Sequence, residues 1–138
     1  SRQYRERQWS NRVDLALKGD EFELFVQPAR ALKPGRPAYH ELLLRLRDSD
    51  GKPVAAAEFL PIAERTGLGT AVDHWVLSAI GRAWQDGLLP GDDSIWGVNL
   101  SIATINDNDF VDSLSTLLQD TGMPGERLCF EMKGSSLA

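Results

Sequence analysis

The sequence predicts an α/β fold built on a largely parallel sheet, and three observations carry that expectation. After an opening pair of strand-like segments the pattern alternates between helix and strand, the order expected of parallel strands joined by crossover helices. SIWGVNLSI (94–102) and ERLCFEM (126–132) are short apolar runs of strand length. In LGTAVDHWVLSAIGRAWQDG (68–87), Val72, Trp75, Val76, Ala79, Ile80 and Ala83 follow the i, i+3, i+4, i+7 spacing of an amphipathic helix.

Residues 1–19 are charged and interrupted by Trp9, Val13, Leu15 and Leu17, which predicts a helix from about Arg5 to Leu17 stopped by Gly19. Its charged start suits either a connector from an upstream segment or a plain N-terminal helix. The first strand is expected over 22–32, with Phe22, Leu24 and Val26 alternating with Glu23, Phe25 and Gln27. Pro28 limits ladder pairing beyond it. KPGRP (33–37) is a turn, and YHELLLRLRD (39–48) is a second strand able to pair antiparallel with the first across it. The stretch 48–67 begins as a polar turn and becomes helical, with Ala56, Phe59, Leu60 and Ala63 on one face and Gly67 as a stop. LPGDD (89–93) is a loop. Residues 107–122 form a helix whose N-terminal end is acidic, where the dipole favours negative charge.

Composition narrows the function classes. The 138 residues hold 15 basic and 20 acidic side chains, a net charge of −5, which speaks against a general DNA or membrane-surface binder. No apolar run approaches the ~20 residues of a bilayer-crossing helix, so direct membrane insertion is not expected. The basic N-terminus has no apolar stretch behind it and is not a signal peptide. A lone cysteine, Cys129, rules out an internal disulfide and suits a reducing, cytoplasmic setting.

Side chains alternate across a strand, and this separates chemistry from core. In the second strand His40, Leu42, Leu44 and Leu46 share one face, while Tyr39, Glu41, Leu43 and Arg45 share the other. In 94–102, Trp96, Val98 and Leu100 oppose Gly97, Asn99 and Ser101; in the last strand Leu128, Phe130 and Met132 oppose Cys129 and Glu131. Three strands therefore each set one oxygen-bearing side chain in an apolar context: Glu41, Asn99 and Glu131. A buried carboxylate is costly unless paired or bound to a cation. Two carboxylates and an amide oxygen are hard donors that suit Mg²⁺, Mn²⁺ or Ca²⁺ rather than zinc or copper. The same pattern also arises if Glu41 pairs with an arginine, Asn99 caps a loop and Glu131 is solvated. His40, on the helix-packed side of its strand, and His74, beside a helix core position, are expected to be structural.

Several segments together resemble one family. FVQPARAL is similar to the opening strand of EAL domains, the bacterial cyclic-di-GMP phosphodiesterases, and HELLLRLRD is similar to their EALLR signature, with Leu42 in place of the alanine. EFLPIAERTGLGTAVDHWVL resembles the family's FIPxAEETGLI…DxWVL helix pair, WGVNLS its VNLS strand, and ERLCFEMKGSSLA the strand that usually reads LEITES. The resemblance implies the first half of a (β/α)8 TIM-like barrel whose first strand runs antiparallel to the rest. It divides the chain into a linker-like helix (1–19) and a partial EAL domain (20–138).

Position by position, the resemblance makes Glu41, Asn99 and Glu131 ligands of Mg²⁺ or Mn²⁺, with Glu41 also the catalytic signature residue. It makes Gln27, Leu43 and Arg45 the contacts to cyclic-di-GMP, Arg45 through a phosphate. The activity implied is two-metal hydrolysis of cyclic-di-GMP to linear pGpG. The family's later paired aspartates, lysine, glutamate and glutamine have no counterpart among these residues, and Lys133 and Gly134 stand where the family usually has Thr and Glu. The chain by itself is therefore expected to be inactive. The alternative is a non-catalytic EAL-like module that binds the dinucleotide or a protein partner. An upstream sensor or GGDEF domain is compatible with the first helix. Parallel α/β folds carry their sites at strand carboxyl ends, so Glu41, Asn99 and Glu131 are expected to converge there. A half-barrel is expected to leave the strand 126–132 as an open edge, with Leu128, Phe130 and Trp96 uncovered, and to recruit a second copy or another covering partner.

Overall fold

The computed structural model describes residues 1–28, 34–89 and 93–132. The end of the expected first strand (29–32), the centre of the 89–93 loop and the tail carrying Lys133 and Gly134 lie outside them.

Helix α1 (Arg2–Gly19) begins three residues before the predicted start, because the Ser1 hydroxyl caps it by accepting from the Tyr4 N–H. It ends at Asp20, which turns the chain with φ 56°. Its charged surface hides an apolar contact. Val13 and Ala16 are fully buried, and Trp9 packs 6.0 Å from Phe59 between ring centroids. Glu6 reaches Arg65 at 2.6 Å, and Arg12 bonds both Glu21 and the Arg47 carbonyl. The helix with a connector-like sequence is thus docked on the domain.

Strands β1 (Phe22–Pro28) and β2 (Tyr39–Arg47) pair antiparallel from Phe22↔Leu46 to Pro28↔His40. Strand β4 (Ile95–Leu100) joins β2 in parallel through Tyr39↔Ile95 to Glu41↔Gly97, and β5 (Leu128–Met132) joins β4 in parallel from Trp96↔Leu128 to Leu100↔Met132. The main path is β1-β2-β4-β5, with the antiparallel first strand at one end. Helices α2 (Ala56–Arg65), α3 (Gly69–Gln85) and α5 (Asn108–Thr121) supply the crossovers.

Three short elements were not expected from sequence. Strand β3 (Pro53–Ala55) pairs antiparallel with Arg45–Arg47 of β2, α4 (Ile102–Ile105) is one turn capped by Ser101, and a 3-10 turn (Gly125–Arg127) takes the first two positions of the strand expected over 126–132. Three and four residues are too few for a periodic signal; pairing and capping partners create these elements.

One face of the sheet forms the core. Leu42, Leu44, Leu46, Trp96, Val98 and Leu100 are all buried against Phe59, Ala63, Val72, Val76 and Ile80 of the helices. The expectation that Trp96 would be left bare is overturned: it is 1% exposed. His40 stacks on it at 4.8 Å. Leu128 and Phe130 are partly covered, Phe130 edge-on to Phe110 of α5 at 5.6 Å. These residues face the helix layer, which this stretch of chain supplies itself. Met132, at the end of β5, is exposed. Arg127 further pins β5 to β4 by donating to the Ser94 carbonyl.

Candidate functional site on the inner face of the sheet

The face away from the helices carries the polar residues. Register places them side by side: Gln27 opposite Glu41, Glu41 beside Gly97, and Asn99 beside Glu131. Because Gly97 and Asn99 lie two residues apart on β4, the three oxygen-bearing side chains occupy one face of three neighbouring strands. Glu41, Asn99 and Glu131 are each half-buried, whereas Gln27 at the edge strand is exposed.

Glu41 and Asn99 touch, with the Asn99 amide nitrogen 3.4 Å from Glu41 Oε1. Glu131 Oε1 instead accepts from the Tyr39 hydroxyl. Asn99 and Glu131 sit one residue from the ends of their strands. Glu41 differs from the sequence expectation, being third in β2. It is nonetheless the last position at which β2 pairs with β4, because β2 then turns to pair with β3 at Arg45–Arg47.

Where β2 and β4 part, a small cavity of about 60 Å³ opens, lined mostly by apolar side chains of the core, with Leu43, Arg45, Asp73 and Asn99 also at its wall. The Arg45 guanidinium stands 5.7 Å from the centroid of the Phe25 ring and donates to the Leu44 carbonyl at 2.9 Å. That leaves several of its five N–H donors for another acceptor.

Asp73 is the buried carboxylate behind the site, 4% exposed. Its Oδ2 accepts from the Ser101 N–H and the Ser101 hydroxyl, both at 3.0 Å, and from the Thr104 hydroxyl at 2.5 Å. This clamps the chain two residues after Asn99 and so fixes the exit of β4. Sequence reasoning singled out neither Asp73 nor the Tyr39 contact. The available signals were an aspartate on an otherwise apolar helix face and a tyrosine at i−2 from Glu41. His74 lies 3.9 Å from Asp107.

Among the described residues no cluster of three or more His, Cys, Asp or Glu side chains is arranged to hold a metal. The donors that do meet are hard ones, the Glu41 carboxylate and the Asn99 side-chain amide, with the Glu131 carboxylate at the paired position of the adjoining strand. Their chemistry fits a hard divalent cation such as Mg²⁺ or Mn²⁺, for which they would supply part of one coordination shell.

Fold and site together define an α/β protein of the TIM-like barrel class with an antiparallel first strand and a polar inner face. Family comparison makes this specific: the EAL domain model matches residues 10–138, so the chain belongs to the EAL domain family. The cyclic di-GMP phosphodiesterase PdeF of Escherichia coli is 27% identical over 126 residues, covering 91% of this chain and 17% of that protein. The EAL domain of Xanthomonas citri FimX, solved in complex with c-diGMP, superposes with a TM-score of 0.81 at 28% identity, over 99% of this chain and 53% of that one. The Pseudomonas aeruginosa FimX EAL domain bound to c-di-GMP gives 0.80 at 28% identity, over 92% and 50%. The chain thus spans about half of these EAL-domain structures and under a fifth of the phosphodiesterase, and it corresponds to part of the barrel.

Proposed function

We propose that this chain forms the cyclic-di-GMP and metal-binding first half of an EAL phosphodiesterase domain. The observation that carries this reading is the Glu41–Asn99 contact on the inner face, with Glu131 on the adjoining strand and Arg45 two pleats along β2 from Glu41 on the same face. Glu41, Asn99 and Glu131 would hold Mg²⁺ or Mn²⁺. When bound, such an ion activates a water and stabilises charge on a phosphodiester.

The chain's own residues do the rest. Arg45 has N–H donors to spare and binds a phosphate oxygen by charge-assisted hydrogen bonds. Leu43, on the same face, gives a base or ribose an apolar contact. Gln27, across from Glu41, offers both donor and acceptor to the dinucleotide's edge. Phe25 holds the Arg45 guanidinium in place through its ring face. Because the protein's net charge is −5, attraction of a dianionic ligand rests on this local cation rather than on the overall field.

Hydrolysis by a two-metal route needs a second ion, and the further carboxylate on this face among the described residues, Glu23, lies opposite Arg45 and is paired with Arg47. The 138 residues alone are therefore expected to bind cyclic-di-GMP without cleaving it. The test is calorimetry with cyclic-di-GMP in the presence of Mn²⁺, together with chromatography for pGpG. Binding that is lost in Arg45→Ala and Glu41→Gln supports the reading. Binding unaffected by both variants refutes it, and turnover by this chain refutes the expected inactivity.

A further inference from the structure

Tyr39 and Gly97 are fitted to each other. Tyr39 opens β2 beside Ile95, and its ring passes over β4 at Gly97 to reach β5. A Cβ on Gly97 would lie 2.1 Å from the Tyr39 hydroxyl oxygen, 2.5 Å from Cζ and 2.9 Å from Cε1. No side chain fits there while the ring is in place. The backbone at Gly97 is not in the left-handed region. Close approach, not conformational freedom, is what requires glycine. The hydroxyl then meets Glu131 Oε1, joining residues 92 apart in sequence.

We propose that Tyr39 is a positioning residue for Glu131. Its hydroxyl donates to one carboxylate oxygen, fixes the side-chain rotamer, and leaves the second oxygen for a divalent cation shared with Glu41 and Asn99. The choice of a phenol matters. A neutral donor orients a carboxylate without cancelling its charge, whereas a lysine or arginine would compete with the cation. Partners of this kind, one bond removed from an ion, set ligand geometry and typically change metal affinity 10–100-fold when removed. Gly97 is the second half of the device, since it lets the ring cross an intervening strand. The proposal rests on the assignment of Glu131 as an ion ligand, made above.

The test uses Tyr39→Phe, which keeps the ring over Gly97 and deletes only the hydroxyl, alongside Glu131→Gln and the double variant. Mn²⁺ affinity is read by electron paramagnetic resonance, and the melting temperature is measured without and with Mn²⁺. Tyr39→Phe is expected to bind Mn²⁺ at least ~10-fold more weakly, with a metal-free melting temperature close to the wild type and a smaller Mn²⁺-induced rise. In the Glu131→Gln background the same change is expected to have no further effect. Unchanged Mn²⁺ affinity in Tyr39→Phe, with Glu131→Gln impaired, overturns the role of Tyr39 and leaves the ion site standing. Unchanged affinity in Glu131→Gln, or no Mn²⁺ uptake by the wild type, overturns the ion reading of Glu131 and this proposal with it.

Discussion

Replacing Asp73 by alanine should loosen the β4–α4 junction by an amount the geometry lets one work out. Three donors converge on Asp73 Oδ2: the Ser101 N–H, the Ser101 hydroxyl and the Thr104 hydroxyl. One of these has somewhere else to go. The Ser101 and Thr104 hydroxyls lie 2.9 Å apart, so one of them can donate to the other, and Ser101 Oγ still accepts from the Thr104 N–H at 3.3 Å. The Ser101 N–H loses its partner outright. A hydrogen bond to a charged group contributes about 1.5–3 kcal/mol, and the vacated space beside the cavity adds a little. The expected loss is about 3 kcal/mol, a large share of the ~5–15 kcal/mol that stabilises a typical domain. At this size that lowers the melting temperature by roughly 10 °C. Asp73→Asn keeps an acceptor oxygen and the shape, and should cost about 1 kcal/mol. The assay is urea unfolding, with an unchanged slope so that the midpoint alone reports stability. A double-mutant cycle of Asp73→Ala with Thr104→Val should show coupling of ~0.5 kcal/mol or more. If Asp73→Ala unfolds within ~0.5 kcal/mol of the wild type, or if Asp73→Asn is as damaging as alanine, the clamp is not what holds this junction.

Further outcomes follow from burial and from the open strand edge. Val13→Ala removes methyl groups from a fully buried position on α1 and should destabilise the whole domain by about 1–2 kcal/mol, seen as a single shifted transition. A helix serving only as a linker would show no shift. Trp96→Ala should cost about 3–5 kcal/mol in the same assay, because a 1% exposed indole is the largest side chain in the core. Among the described residues β5 pairs on one side only, with β4. We expect that edge to recruit further strands. For this chain on its own, sedimentation should show self-association that weakens when the exposed Met132 is replaced by lysine, and a strictly monomeric chain would refute this.

The inner face of the sheet was readable from sequence because strand periodicity is strict. Once His40, Leu42, Leu44 and Leu46 are taken as one face, Glu41 and Arg45 must lie on the other, and the same logic places Asn99 and Glu131. Segment order and the opening antiparallel pair were equally plain, since both rest on local pattern. The packing of α1 was not: Trp9, Val13, Ala16 and Leu17 have the spacing of one helix face, but on a helix otherwise rich in charge that narrow stripe does not say what it packs against. Strand β3 and helix α4 were too short to show.

What the sequence determined by itself is which side chains share a face; what the tertiary structure decided is which of them meet. Alternation puts Tyr39, Glu41, Gly97, Asn99 and Glu131 on the inner face whatever the register. Only the pairing of β2 with β4 at Glu41↔Gly97, and of β4 with β5 at Asn99↔Glu131, brings Asn99 to Glu41 and lets Tyr39 cross Gly97 to Glu131. Register between strands whose paired residues lie 56 (Glu41 to Gly97) and 32 (Asn99 to Glu131) positions apart depends on how the helices between them pack against the core. That is a sum over many weak contacts, with no counterpart in any local stretch of the chain.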